Sequence, residues 1–348
     1  MKSWAACILA IAVSPAASLS GTAQPPGKVF HIGILSPAAL PSTKAFDSLR
    51  KGLRELGYVE GRNITIEYRL AAGDYGQLPA MAADLVRLPV DLIVTDSGIA
   101  TQIAQQASRA IPIVAATAGS DPVATGLAAS LAHPGGNVTG FTGGDIELSR
   151  KRVELLREVL PAVSRIGVLR NPAMPMSSFQ ATEQAARALG LQLRPIPVAT
   201  PGEIHAGFEA AVAGGAEALV VLPDGMFWNE RGRIVALAAQ YRVPVMYEER
   251  EYANDGGLIS YGRNVSENFR QAAGYVDKIL KGAKPGDLPI QQPTRFELVV
   301  NLKTAQGLGL TIPPSILDAP TRSSNEGHRV GVGDSGTMSM SVREKSSP

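Results

Sequence analysis

What most constrains this chain of 348 residues is that it states one pattern twice. The first copy runs Ile32-Gly33-Ile34-Leu35, an amphipathic stretch closing at Leu56-Gly57, the apolar run Asp91-Leu92-Ile93-Val94-Thr95, then Ile111-Pro112-Ile113-Val114. The second runs Ile166-Gly167-Val168-Leu169, an amphipathic stretch closing at Leu189-Gly190, the run Ala218-Leu219-Val220-Val221-Leu222, then Val243-Pro244-Val245-Met246. Short buried-strand runs alternating with helical periods imply parallel βαβ units. Two such series imply an α/β protein of two similar, Rossmann-like lobes with parallel sheets. Parallel sheets present ligand groups at the carboxyl ends of their strands, so facing lobes predict a cleft that closes on a small molecule.

The periodicity predicts lobe-one strands at Val29–Leu35, Ile64–Tyr68, Asp91–Thr95, Ile113–Ala116 and Val138–Phe141, with helices at Thr43–Leu56, Leu78–Leu88, Ile99–Ser108 and Pro122–Leu131. Lobe two is expected to hold strands near Ile166–Leu169, Gln192–Val198, Ala218–Leu222, Val245–Tyr247 and Phe296–Val300. Its helices are expected at Ile146–Leu160, Ser178–Leu189, Ile204–Ala213, Glu230–Tyr241 and Leu302–Leu308. The stretch Gly256–Gly262 reads as a glycine-flanked strand returning to lobe one, followed by a helix capped by Ser266 and running to Leu280. The boundaries are residues 27–143 plus 262–290 for lobe one and 144–258 plus 291–318 for lobe two. Three extended crossings between them form a hinge.

Residues 1–23 have the pattern of a secretory signal: Lys2, a short apolar stretch from Trp4 to Val13, and small residues through Gly21 and Ala23. The apolar run is too short for a comfortable membrane span, and a mature, soluble periplasmic protein is expected. The only cysteine is Cys7, inside that leader, so stability must come from the two cores. The segment 319–348 is rich in Ser, Gly and Arg without an apolar period and reads as a disordered tail. It contains Gly331-Val332-Gly333-Asp334-Ser335-Gly336, a dinucleotide-type glycine pattern without the strand and helix its mechanism needs. A formal net charge of +2 offers no concentrated basic face for nucleic acid.

Candidate site residues follow from position just past the predicted strands. In lobe one they are Ser36, Asp74 (with Gly73 and Tyr75), Ser97 and Gly98 (with Asp96), and Thr117. In lobe two they are Asn171, Asp224, Phe227, Trp228, Tyr247, Glu248 (with Glu249) and Tyr261. Ser97-Gly98 opens a helix whose N–H groups suit a ligand carboxylate; the alternative is a plain N-cap. Asp224, Glu248 or Glu249 can meet a ligand amine, or stand as solvated acids beside Arg242 and Arg250. Phe227 and Trp228 can wall a pocket or pack beneath the loop. Asn171, before Pro172, is a turn former or a ligand contact, and Tyr261 faces the cleft or bridges the lobes. The histidines (His31, His133, His205, His328) lack metal-ligand spacing and no phosphate loop is present, so neither cofactor nor metal is expected.

Four stretches carry a resemblance: Gly52-Leu53-Arg54-Glu55-Leu56-Gly57-Tyr58-Val59-Glu60-Gly61-Arg62-Asn63; Asp121-Pro122-Val123-Ala124-Thr125-Gly126-Leu127; Pro134-Gly135-Gly136-Asn137-Val138-Thr139-Gly140; and Glu297-Leu298-Val299-Val300-Asn301-Leu302-Lys303-Thr304-Ala305 with Leu308-Gly309-Leu310-Thr311-Ile312-Pro313. In this order the chain resembles the ABC transporter substrate-binding proteins that include tryptophan- and tyrosine-type binders. The resemblance implies a type I periplasmic-binding-protein fold, with a small organic anion or amino-acid-like zwitterion between two hinged lobes. It further implies delivery to an inner-membrane permease by a monomer that is not an enzyme. The alternatives are the extracytoplasmic ligand-sensing module of a signalling system, or an enzyme on the same fold.

Overall fold

Each apolar run of the repeat becomes a buried strand, and the two copies take the same strand order. The computed structural model describes residues 28–40, 44–119, 121–293, 295–317, 331–332 and 337–343. The expected leader therefore lies outside the described residues. Lobe one opens with β1 (Phe30–Ser36), α1 (Lys44–Glu55), β2 (Ile64–Leu70), α2 (Leu78–Arg87) and β3 (Leu92–Thr95). It continues with α3 (Gly98–Ala107), β4 (Ile113–Ala115) and β5 (Val138–Gly140). Its sheet is parallel throughout, in the order β2-β1-β3-β4-β5.

Lobe two is built from α4 (Asp145–Val159), β6 (Arg165–Arg170), α5 (Ser177–Ala188), β7 (Gln192–Pro197), α6 (Ile204–Ala213) and β8 (Ala218–Val221). There follow α7 (Gly225–Asn229), α8 (Arg231–Gln240), β9 (Val245–Tyr247), α9 (Arg250–Asn254) and β10 (Ile259–Arg263). The chain then makes α10 (Val265–Leu280), β11 (Arg295–Asn301), α11 (Leu302–Gly307) and α12 (Pro314–Leu317). Strands β7-β6-β8-β9-β10 repeat the parallel order of lobe one, and β11 extends the sheet antiparallel to β10.

The repeat explains how the lobes are tied. In each, the fifth strand ends and the next helix packs on the other lobe. Leu148, Val153, Leu155, Leu156 and Val159 of α4 lie in the lobe-two core. Phe269, Ala272, Tyr275, Val276 and Ile279 of α10 join Phe46, Leu49 and Leu53 of α1 in the lobe-one core. Gly52 permits that close helix pairing, since a Cβ there would stand 2.7 Å from the Arg270 carbonyl oxygen and 2.8 Å from Ala273 Cβ. The crossing segments are themselves joined: Thr142 N donates to Gln291 O at 2.8 Å, Gln291 N to Gly140 O at 2.8 Å, and Arg263 Nη1 to Gly143 O at 3.2 Å.

Four expectations are corrected. The strand at Ile259–Arg263 does not return to lobe one: it is lobe two's fifth strand, and only the following segment crosses. Its helix is capped by Asn264, whose side chain accepts from Glu267 N at 2.9 Å, so helical turns begin before Ser266 can serve as cap. Pro122–Leu131 is not a helix. Asp121 caps one turn, accepting from Val123 N and Ala124 N, and Gly126 at φ 72° then reverses the chain. Within the tail read as disordered, Thr337–Arg343 forms β13, paired antiparallel with β11 along seven residues. The open edge of β11 supplies the backbone partners, and Met338 packs against the lobe-two core. Gly331–Val332 of the rejected glycine pattern makes a short strand, β12, against β13.

Candidate functional site

A cavity of about 890 Å³ lies between the carboxyl ends of the two parallel sheets. That is where strand topology places ligands in open α/β folds. From lobe one it receives the β3–α3 turn, Asp96 to Ile99, and the segment Thr117 to Gly119 after β4. Ser97 has extended backbone and its Oγ accepts from Ala100 N at 3.2 Å, so it is the N-cap of α3. Gly98 and Gly119 meet backbone to backbone: a Cβ on Gly98 would stand 2.9 Å from Gly119 Cα. The positive end of the α3 dipole thus reaches the cleft with no side chain over it at Gly98.

Asp96 is held from behind. Ser36 Oγ donates to Asp96 Oδ2 at 2.5 Å and accepts from Ala38 N at 2.9 Å. Asp96 Oδ1 is buried without a hydrogen-bond partner among the described residues. Burial pushes this carboxyl up to about 6, against smaller opposing effects from Ser36 and Arg263. A folded-state value above the unfolded one means the native state is favoured below about pH 4 and loses that advantage as pH climbs through about 6. Asp96→Asn, which keeps an acceptor for Ser36, is expected to gain about 1–2 kcal/mol at pH 7.5 and nothing at pH 3.5. Urea melts at the two pH values check this; an equal gain at both would show that charge is not the cause.

Lobe two contributes Asn171 after β6, Asp224 and Gly225 after β8, and Glu248 and Glu249 after β9, with Arg263 at the crossing. Asp224 caps α7, its Oδ1 accepting from Met226 N at 2.8 Å and Phe227 N at 3.1 Å. Burial raises its carboxyl, opposed by these bonds and by the Asn171 side chain. Burial, with the Glu248 charge beside it, holds Glu249 well above the usual carboxylate range. Trp228 lines the wall with the Arg231 guanidinium 4.7 Å from its ring centroid.

Of the twelve candidates, Ser97, Gly98, Thr117, Asn171, Asp224, Trp228 and Glu248 come together around this cavity. The others sit elsewhere. Ser36 is fully buried behind Asp96, and Asp74 caps the turn Tyr75–Gln77 by accepting from Gly76 N. Phe227 and Tyr247 are core residues of lobe two, the latter stacked on Tyr252 at 4.6 Å. Tyr261 packs on Phe296, and its carbonyl accepts from Arg152 Nε at 2.7 Å. Strand alternation accounts for Ser36, Tyr247 and Tyr261, because adjacent residues in a strand face opposite sides of the sheet, whereas α7 turns Phe227 into the core and Asp74 is spent on its own turn. Gly119, Arg263 and Arg152 escaped the reading. Arg152 did leave a signal: it falls on the apolar face of α4, four residues after Leu148 and three before Leu155.

Among the described residues, no helix is long and apolar enough to cross a membrane, and no cluster of His, Cys, Asp or Glu could hold a metal ion. The model of the family described as "ABC transporter substrate binding protein" matches residues 31–324. A tyrosine-binding protein of Clostridioides difficile (strain R20291) is 28% identical over 283 residues, covering 80% of this chain and 81% of that one. The structure of an ABC domain in complex with L-Trp from Streptococcus pneumoniae superposes with a TM-score of 0.74 at 27% identity, covering 84% of this chain and 98% of that one. A ligand-free, open substrate-binding protein with adhesive properties from Clostridium difficile superposes with a TM-score of 0.58 at 28% identity, covering 82% and 96%. Fold, cleft and family model agree, and the chain belongs to the ABC transporter substrate-binding protein family.

Proposed function

We propose that this protein is the periplasmic receptor of an ABC importer and holds an amino-acid-like zwitterion between its lobes. The observation that carries the reading is the polarity of the cleft. Lobe one offers the amino end of α3 at Ser97 and Gly98, which suits a carboxylate. Lobe two offers the acids Glu248, which is buried, and Glu249, which is half-buried, and these suit an ammonium. A bound cation opposes both the burial and the Glu248 charge that raise the Glu249 carboxyl. Trp228, Ile99 and Phe269 supply apolar and aromatic surface for a bulky ligand side chain. Relatives named for tyrosine and solved with L-Trp agree with such a ligand. Binding contacts from both lobes favour the closed form, which a permease then reads, and no turnover is involved.

Calorimetric titration with L-tryptophan, tryptamine and indole-3-propionate tests the reading. The zwitterion should bind at least tenfold more tightly than either analogue, because each loses one charge-assisted bond worth about 1.5–3 kcal/mol. Equal affinity for all three would defeat the polarity argument, and a ligand recovered chemically altered would point to catalysis instead.

A further inference from the structure

We infer that Tyr75 is a lobe-to-lobe clasp acting on Asp224, so that this carboxylate serves closure of the cleft and not the ligand's ammonium. Tyr75 stands on lobe one, at the start of the single turn Tyr75–Gln77 that follows β2. Its hydroxyl accepts from Gly225 N at 2.7 Å and donates to Asp224 Oδ2 at 3.2 Å. Both partners belong to lobe two. One phenolic oxygen therefore joins a backbone amide and a carboxylate across the interlobe boundary, with no ligand atom between them.

Most of the carboxylate's acceptor capacity is taken up by this arrangement. Its two oxygens offer about four acceptor sites. Met226 N and Phe227 N take two of them on Oδ1 and the Tyr75 hydroxyl takes one on Oδ2, with the Asn171 side chain favouring the ionised form beside them. Little acceptor capacity remains for an ammonium, which other acids lining the cleft, Glu248 and Glu249 among them, are placed to meet. The surfaces around the clasp are fitted to close approach. Asn229 Nδ2 donates to Pro37 O at 3.3 Å. A Cβ on Gly225 would stand 2.9 Å from Pro37 Cβ and 3.0 Å from the Tyr75 hydroxyl oxygen. Across the same seam Gly73, at φ 88°, approaches Met226 so closely that a Cβ would lie 3.3 Å from its Cα. Two glycines, one per lobe, thus allow close approach where the lobes touch.

Since every bond in the clasp is between protein groups, it stabilises the closed form before any ligand arrives. Apparent affinity scales with the closed fraction, so the clasp sets how much of the ligand's binding energy goes into closing. The test needs no ligand, so its failure is distinguishable from failure of the functional reading. Spin labels on Lys51→Cys and Glu209→Cys, one exposed position per lobe, report the interlobe distance in the otherwise complete mature chain. Ligand-free protein with Tyr75 intact should show a majority short-distance population. Tyr75→Phe should convert most of it to a longer distance, and Gly225→Ala should do the same from the opposite side. Thermal melts of both variants should stay within a few degrees of the parent, showing intact folding. Identical distance distributions with and without the Tyr75 hydroxyl, or a parent that is wholly open, would overturn the proposal.

Discussion

Alanine at Gly140 or Gly262 is expected to destabilise the protein by about 3 kcal/mol or more, the largest effect of any single methyl group here. The two glycines occupy corresponding places, at the ends of the fifth strands β5 and β10, where the chain leaves one lobe for the other. A Cβ on Gly140 would stand 2.0 Å from the Ala115 carbonyl oxygen, and one on Gly262 would stand 1.9 Å from the Glu248 carbonyl oxygen. Both obstacles are backbone, so no side chain can rotate away. Gly140 also has φ 127°, a conformation that L-residues rarely adopt. Gly140→Ala should therefore be the worse of the pair, lowering Tm by ~10 °C. Gly262→Ala should in addition weaken ligand binding about tenfold, because relief of its clash moves the Glu248 backbone at the cleft wall. Differential scanning calorimetry and ligand titration of both variants check this. Melting points within two degrees of the parent would mean that the crossings yield where the geometry says they cannot.

The second large effect is expected at Arg152. It is 1% exposed, on the buried face of α4, and its Nε donates to the Tyr261 carbonyl at 2.7 Å. Its charge favours the ionised form of Glu249, in a group that also holds Glu248 and Arg263. Removing one partner from a buried ionic group leaves uncompensated charge and typically costs about 3–5 kcal/mol. Arg152→Met keeps most of the volume and should lose an amount in that range at pH 8. The sign of the pH dependence follows from the acids. Without the cation, the folded-state value of Glu249 rises further above the unfolded one, so the penalty grows as pH rises and shrinks as the carboxyl protonates. Denaturant melts at pH 5 and pH 8 should show the smaller deficit at pH 5, and Glu249→Gln in the Arg152→Met background should recover part of it. A deficit independent of pH would assign the loss to packing.

Much of this architecture was legible in the chain because it depends on short-range periodicity. Leu92-Ile93-Val94 has to be a buried strand, and Phe46, Leu49 and Leu53 have to share a helix face. The helix start at Ser97 was equally readable, since capping is settled by two or three adjacent residues. Pro122–Leu131 failed because one Asx-capped turn and a left-handed glycine resemble a helix start over a few letters. The tail failed for the opposite reason. The alternation Met338, Met340, Val342 is weak alone and becomes a strand only against the free edge of β11.

By itself, then, the sequence determined two repeated βαβ lobes, most of their strand and helix content, and the strand ends that border the cleft, because each rests on spacing within a dozen residues. Which side chains face one another across the cleft was decided only by the tertiary structure. Tyr75 and Asp224 are 149 positions apart, and Arg152 and Tyr261 are 109 apart. Such pairs depend on how the lobes dock and how the crossings thread between them. Local propensity carries no record of either.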